Sequence, residues 1–334
     1  MQKLINSAEN FVVEMLEGIL AAHSDQLKVA ADDSHALVRV SSPRRGKVGI
    51  VTGGGSGHLP LFLGYVGHGM LDGVAVGDVF ASPSSDQILQ ATRGVDGGVG
   101  VLYLYGNYGG DVMNFDLAAE LADAEGIPTR TVVGADDVAS APKGQEELRR
   151  GIAGIVLLYK VAGAAAENGA SLEEVVRVTE SAASKLRTFG VALSPMTLPS
   201  VGRPTFELPA GQIELGMGIH GEAGISREPL RAADQVADRL LDAILSDLDV
   251  PRGSQVVVLL NGLGATPQEE LYVLYRRVHQ RLSALGVDVH RRYIGEYVTS
   301  LEMAGASLSL LVLDEELTGL IDAPARTPFF EQQA

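Results

Sequence analysis

Short unbroken apolar runs alternate along this chain with longer stretches in which apolar residues recur every three or four positions. GKVGIVT (46–52) runs into GGGSGH, and GVGVLYLY (98–105) runs into GNYGGD and then VMNFDLAAELADAEG. SQVVVLLN (254–261) runs into GLGATP and then QEELYVLYRRVHQRL. The runs have the length and β-rich composition of strands, and the periodic stretches have the spacing of helices. Strands alternating with helices predict an α/β fold, here two α/β domains, with helices packed on a largely parallel sheet. Glycine-rich strand-to-helix turns would then form the substrate site, at the carboxyl ends of the strands.

The apolar stretch GIAGIVLLYKVAGAAA (151–166) is interrupted by Lys160 and is too short to span a bilayer, so it reads as a buried helix. Ser171 and Glu174 form an S-x-x-E capping box before VVRVTESAASKLRTFG, and Gly190 is expected to end that helix. Asp111, just before VMNF, is placed to cap a helix N-terminus. The Pro- and Ser-rich loop LSPMTLPSVGRPTFELP (193–209) suggests a domain boundary near residue 190, dividing the chain into 1–190 and 191–334.

Composition narrows the field. A chain of 334 residues exceeds what one core comfortably serves, and two domains of about 150 residues are the default. A net charge of −16 argues against a nucleic-acid surface and requires any anionic ligand to be held by backbone N–H groups. With no cysteine, disulfides, thiolate metal sites and Cys nucleophiles are excluded. The first twenty residues carry acids and Asn where an export signal would be apolar, so a cytoplasmic protein with no membrane association is expected.

Three motifs carry candidate chemistry. GGGSGH (53–58) lets backbone approach a ligand closely, but it matches neither a Walker loop nor a dinucleotide fingerprint. By itself it is the commoner tight turn with a partly exposed His58. Asp111 is either a helix cap or a carboxylate sharing general-base duty with His58 on one hydroxyl. His220, in IELGMGIHGEAG, is a structural His, a metal ligand or a nucleophile toward a carbonyl, and no metal-ligand spacing accompanies it. Asp72, Asp78, Asp86 and Asp96 are read as caps or solvated acids rather than a magnesium site.

Taken in order, GGGSGH (53–58), GDVFASPSSDQ (77–87), GNYGGDVMNF (106–115), GMGIHGEAG (216–224) and NGLGATPQEELY (261–272) resemble the substrate-binding (K) subunit of dihydroxyacetone kinase. IGEYVTSLEMAGASLSLLVLDEE and DAPARTP near the C-terminus extend the resemblance over essentially the whole chain. The resemblance implies that His220 adds to the ketone carbonyl as a hemiaminal. It also implies that His58 and Asp111 contact the substrate hydroxyls and assist phosphoryl acceptance, and that Gly55, Ser56 and Gly57 line the pocket. It further implies a homodimer that binds no cofactor itself, with ATP or ADP and Mg carried by a separate nucleotide-binding L subunit. In one branch of the family a phosphotransferase-system protein rephosphorylates that partner; in another ATP is used directly, and the sequence leaves both open.

Three positions depart from the family pattern: Gly106 replaces a Lys, Leu59 a Glu and Ala223 a Pro. Losing the Lys enlarges the expected pocket, and two alternatives stand beside dihydroxyacetone phosphorylation, the second because the family resembled includes such paralogues. One is a four-carbon ketose (erythrulose) kinase subunit. The other is a non-catalytic ketose-binding transcriptional co-activator, for which His220 alone would suffice.

Overall fold

The computed structural model of the chain describes residues 3–333, which fold as two compact α/β units. The first comprises residues 3–134, 156–181 and 317–333, and the second comprises 135–155 and 182–316.

In the first unit six strands form one sheet: β1 (Leu27–Val29), β2 (Ala36–Arg39), β3 (Gly49–Ser56), β4 (Gly73–Val79), β5 (Val101–Gly106) and β6 (Thr129–Gly134). Their order is β1-β2-β4-β3-β5-β6. The four strands from β4 to β6 are mutually parallel, and β1 and β2 join antiparallel at one edge. The helices are α1 (Phe11–Ala22), α2 (Ser85–Val95), α3 (Gly109–Ala124), α4 (Ile155–Glu167) and α5 (Leu172–Ser184). Ile88, Ala91 and Val95 of α2 and Phe115, Ala118 and Ala122 of α3 close over Val51, Ala75, Tyr103 and Tyr105 of the sheet. Phe115 stacks on Tyr105 at 4.1 Å and meets Tyr103 edge-on. Truncating so fully buried an aromatic costs about 3–5 kcal/mol. Ser84 and Gln87 cap α2 reciprocally. Helix α4 is buried throughout its apolar run, and the Lys160 ammonium inside it donates to the Leu320 carbonyl at 2.9 Å.

The second unit holds β7 (Leu186–Ala192), β8 (Gln212–Leu215), β9 (Ser226–Pro229), β10 (Gln255–Gly262), β11 (Asp288–Gly295) and β12 (Gly305–Leu313) in the order β11-β10-β12-β7-β8-β9. Helices α6 (Ala233–Asp247) and α7 (Gln268–Leu285) bury Leu240, Ile244, Leu271 and Val278 against it. The chain then returns through α8 (Glu315–Asp322) to a short ribbon of β13 (Ala325–Arg326) and β14 (Glu331–Gln332) in the first unit. There the Thr327 hydroxyl donates to the Gly64 carbonyl at 2.7 Å.

Several local expectations change. The second sheet is mostly antiparallel, with β10 and β11 its one parallel pair, because β12 returns between β10 and β7 and a meander adds β8 and β9. The units do not divide at one point near residue 190. β7 lies inside the second sheet, and residues 135–155 belong with it, tied by Arg149 to Asp247. Gly190 lies within β7 rather than ending a helix: α5 stops at Ser184, where the alternation of LRTFGVA begins a strand. Asp111 is the third residue of α3 rather than its cap, a position held by Tyr108. Of the four scattered acids, Asp72 is not solvated. It is buried against Lys47 at 2.6 Å and Arg39 at 2.8 Å. Among the described residues no group of acids or histidines has the arrangement of a metal site, and no helix is long and apolar enough to cross a membrane.

Candidate functional site

The glycines of GGGSGH are not a turn but the end of strand β3, which runs to Ser56, and the chain reverses only at Gly57 (φ 104°). The next element is a single 3-10 turn at Phe62–Tyr65 rather than a long helix. The glycines are required by what packs against them. A Cβ at Gly54 would overlap the Phe62 ring, and one at Gly55 would stand 2.7 Å from the Ala81 nitrogen and 2.8 Å from the Phe80 Cα. Backbone cannot yield as a side-chain tip can, so Gly55 admits no larger residue.

The two phenylalanines that occupy this space both face His58. Phe80 stacks on the imidazole, with centroids 4.8 Å apart and planes 13° from parallel, and Phe62 meets it edge-on at 6.3 Å. Both adopt left-handed backbone conformations, with φ of 57° at Phe80 and 64° at Phe62. Such φ values are outliers for bulky residues and persist only where the surroundings impose them. Here the imposition is visible at Phe80, whose N–H donates to the Ser56 carbonyl at 3.0 Å while the Ser56 hydroxyl donates to the Gly77 carbonyl at 2.7 Å. His58 itself is 1% exposed, not the partly exposed side chain the turn alone implied.

β3 and β5 are adjacent and parallel, so their carboxyl ends open at one sheet edge. β5 delivers Gly106 there, buried, and α3 begins two residues after Asn107 with Asp111 buried in its first turn. The α3 start packs on the loop that carries Phe80: a Cβ at Gly110 would stand 2.6 Å from the Ser82 hydroxyl, and the Asn114 amide donates to the Pro83 carbonyl at 2.7 Å. The structure therefore gathers Gly55, Ser56, Gly57, His58, Gly106 and Asp111 at one edge. A carboxylate in the first turn of a helix is favoured by the helix dipole. Burial, with the charges of Asp116 and Asp111, pushes the Tyr105 phenol well above its ordinary range, so Tyr105 acts there as a neutral group.

His220 belongs to the second unit, on the loop between β8 and β9, and is about a quarter exposed. The Glu222 carboxylate takes a hydrogen bond from the His220 backbone N–H and lies 2.8 Å from its Nδ1. An Nδ1–H donated to a carboxylate fixes the tautomer whose lone pair is on Nε2, the form that adds to a carbonyl. Burial alone would raise the Glu222 pKa; the His220 hydrogen bond and charge, with the Arg150 charge, outweigh it and hold the carboxyl below its usual range.

Sequence reasoning missed Phe62, Phe80 and Glu222 as parts of the site. Nothing in an isolated Phe signals a positive φ. Glu222, two residues from His220, was visible as a neighbour but not as its hydrogen-bond partner.

A family model described as the Dak1 domain matches residues 17–329. The chain is 47% identical over 316 residues to the PTS-dependent dihydroxyacetone kinase 1, dihydroxyacetone-binding subunit DhaK, of Listeria innocua, covering 95% of each chain. It is 45% identical over 334 residues to the D-erythrulose kinase of Mycolicibacterium smegmatis, covering 100% of this chain but 57% of that longer protein. Among solved structures, the dihydroxyacetone kinase operon co-activator Dha-DhaQ superposes with a TM-score of 0.89 at 32% identity, covering 96% of this chain and 98% of that one.

Proposed function

The chain belongs to the Dak1 domain family, and from that premise we propose that it is the ketose-binding subunit of a dihydroxyacetone-type kinase. It holds the ketone covalently on His220 while a partner delivers the phosphoryl group. The observation that carries this reading is the carboxylate of Glu222 on His220 Nδ1. Nε2 adds to the carbonyl carbon, the π pair of the C=O bond moves to oxygen, and that oxygen gains a proton as the ring loses the one on Nδ1. The product is a neutral hemiaminal, and Glu222 stabilises the imidazolium that forms on the way, as a carboxylate does behind a catalytic His.

Covalent capture discriminates ketones from polyols with the same hydroxyls, which hydrogen bonds alone would distinguish poorly. Asp111 then takes the proton of the terminal hydroxyl, which His58 also contacts, as its oxygen attacks phosphorus. A nucleotide with Mg on the partner L subunit would supply the phosphoryl group and charge neutralisation, its diphosphate leaving as the phosphorus–oxygen bond breaks. The name of the Listeria relative, a binding subunit of a PTS-dependent kinase, supports a phosphoryl donor on a separate partner. The subunit acts as a homodimer.

A four-carbon substrate is the second reading, and Gly106 favours it. At this buried strand end the family's Lys stem is missing, and the D-erythrulose kinase matches the chain along its whole length. The test is turnover with a purified L-type partner and its phosphoryl donor. The expected outcome is a phosphorylated ketose, with kcat in Asp111→Asn lowered by about 10²–10⁴-fold and ketone binding little changed. Tight ketose binding with no phosphorylated product under any partner or donor would instead identify a co-activator like the structural relative.

A further inference from the structure

We infer that Arg150 is a positioning residue for His220, acting through Glu222; the inference rests on His220 being the nucleophile proposed above. A glutamate on the β8–β9 loop, where Gly216 and Gly221 both stand at positive φ, has many ways to point. Arg150 restricts it. Its Nη1 stands 4.0 Å from Glu222 Oε2, while its Nη2 donates to the Gly216 carbonyl at 3.0 Å, so one guanidinium ties the entry of the loop to the carboxylate that grips His220.

The guanidinium is itself fixed from behind. Its Nε and Nη2 fork onto Asp137 Oδ2 at 2.9 and 2.7 Å, and Asp137 is wholly buried and also accepts the Ala139 N–H at 3.0 Å. The Arg150 backbone is pinned as well: its N–H donates to the Ser140 hydroxyl at 2.9 Å, and its carbonyl accepts from the Asp137 N–H at 3.1 Å. Gly218 leaves the space in which the pair meets. A Cβ there would overlap Glu222 Oε2 and stand 2.6 Å from Arg150 Nη1. Planar, five-donor geometry is what lets one side chain serve Asp137, Gly216 and Glu222 together, and a lysine ammonium cannot reproduce it.

The chemical consequence is specific. Before the ketone arrives, Arg150 holds the Glu222 carboxylate aimed at Nδ1, so Nε2 carries the lone pair. The segment 135–155 therefore supplies its unit with more than the Arg149 tie to Asp247: it orders the loop that carries the nucleophile.

The test uses the full chain, labelled with ¹⁵N in its histidines, without ketone. Long-range proton–nitrogen spectra report which ring nitrogen of His220 carries the proton. The wild type should show an Nδ1–H tautomer at neutral pH, and Arg150→Met a mixture of tautomers. Ketone capture in Arg150→Met should fall on the order of tenfold, the size typical when the group behind a functional His is lost. Arg150→Lys should recover only part of it. Arg150→Met and Glu222→Gln combined should be no worse than Glu222→Gln alone, since they remove one interaction. If Arg150→Met fails to fold, Gly218→Ala displaces Glu222 without exposing a buried charge and should give the same tautomer mixture. An unchanged Nδ1–H tautomer and unchanged capture in Gly218→Ala or folded Arg150→Met would overturn the inference. Failure of the wild type to capture any ketone would sink the proposed function, while the ketone-free tautomer readout still decides the role of Arg150.

Discussion

Phe80 offers a way to separate the backbone strain beside His58 from the contribution of the ring stacked on it. Replacing Phe80 by Ala or by Gly removes the same stacked ring, and stacking of this kind is worth about 0.5–1.5 kcal/mol beyond burial. The two variants differ in what remains. Ala keeps a φ of 57°, which costs a residue with a Cβ about 1–2 kcal/mol, whereas Gly adopts it freely. Against this, Gly adds about 0.4–1 kcal/mol of conformational freedom to the unfolded chain. The balance leaves Phe80→Gly more stable than Phe80→Ala by about 0.5–1 kcal/mol, or about 1–4 °C in the melting of a unit this size. Scanning calorimetry of the chain alone measures the difference, fitted to the transition of the first unit because two units need not unfold together. Turnover with the partner should fall to a similar extent in both, since both leave the His58 ring unsupported. Phe80→Ala at least as stable as Phe80→Gly would refute the strain argument. Wild-type turnover in both would show that the Phe80 ring does not orient His58 for the reaction.

Two more outcomes can be checked. Arg149 and Arg187 hold the Asp247 carboxyl down to about 2, with the Arg149 hydrogen bonds the largest cause, so Asp247 contributes stability that is present above its ordinary range near 4 and is lost as pH falls through about 2. Its side chain is only 9% exposed, and the shift corresponds to about 2 kcal/mol. Asp247→Asn should therefore be destabilised most at neutral pH, with the gap to wild type narrowing between about pH 4 and pH 2 in acid-unfolding curves; a pH-independent gap would contradict the assignment. Gly106→Lys restores the family cation at the end of β5, and kcat/KM for erythrulose relative to dihydroxyacetone should fall compared with wild type. A strong wild-type preference for dihydroxyacetone that the Lys leaves unchanged would remove the four-carbon reading.

Much of the fold was legible because it depends on pattern. The apolar runs before GGGSGH, GNYGGD and GLGATP are β3, β5 and β10, and the capping box at Ser171 does start α5, its hydroxyl accepting the Glu174 N–H at 3.3 Å. What escaped depends on partners remote in sequence. Sheet direction in the second unit is set by where β12 inserts, which LSLLVL cannot say about itself. KLRTFG continued a helical pattern until its alternation as β7 was fixed by pairing with β12. GGGSGH read as a turn because glycine clusters usually are one. Here the glycines remain strand, and their missing side chains make room for Phe62 and Phe80, the latter 25 positions on from Gly55. Asp111 and His58 were singled out from local context and Gly106 from the family pattern, whereas the ring stacking on His58 is a tertiary fact and the Glu222 hydrogen bond to His220 depends on how their loop folds.

The central claim is that His220 forms a carbon–nitrogen bond to the ketone, and one spectrum tests it most directly. The ¹⁵N-histidine protein is saturated with dihydroxyacetone labelled with ¹³C at its carbonyl carbon. The account predicts that the bound carbon leaves the carbonyl region for the tetrahedral region and shows one-bond coupling to Nε2 of His220, with both features absent in His220→Ala. Saturated binding with the carbon still a carbonyl, or tetrahedral but uncoupled to nitrogen as in a simple hydrate, would contradict it.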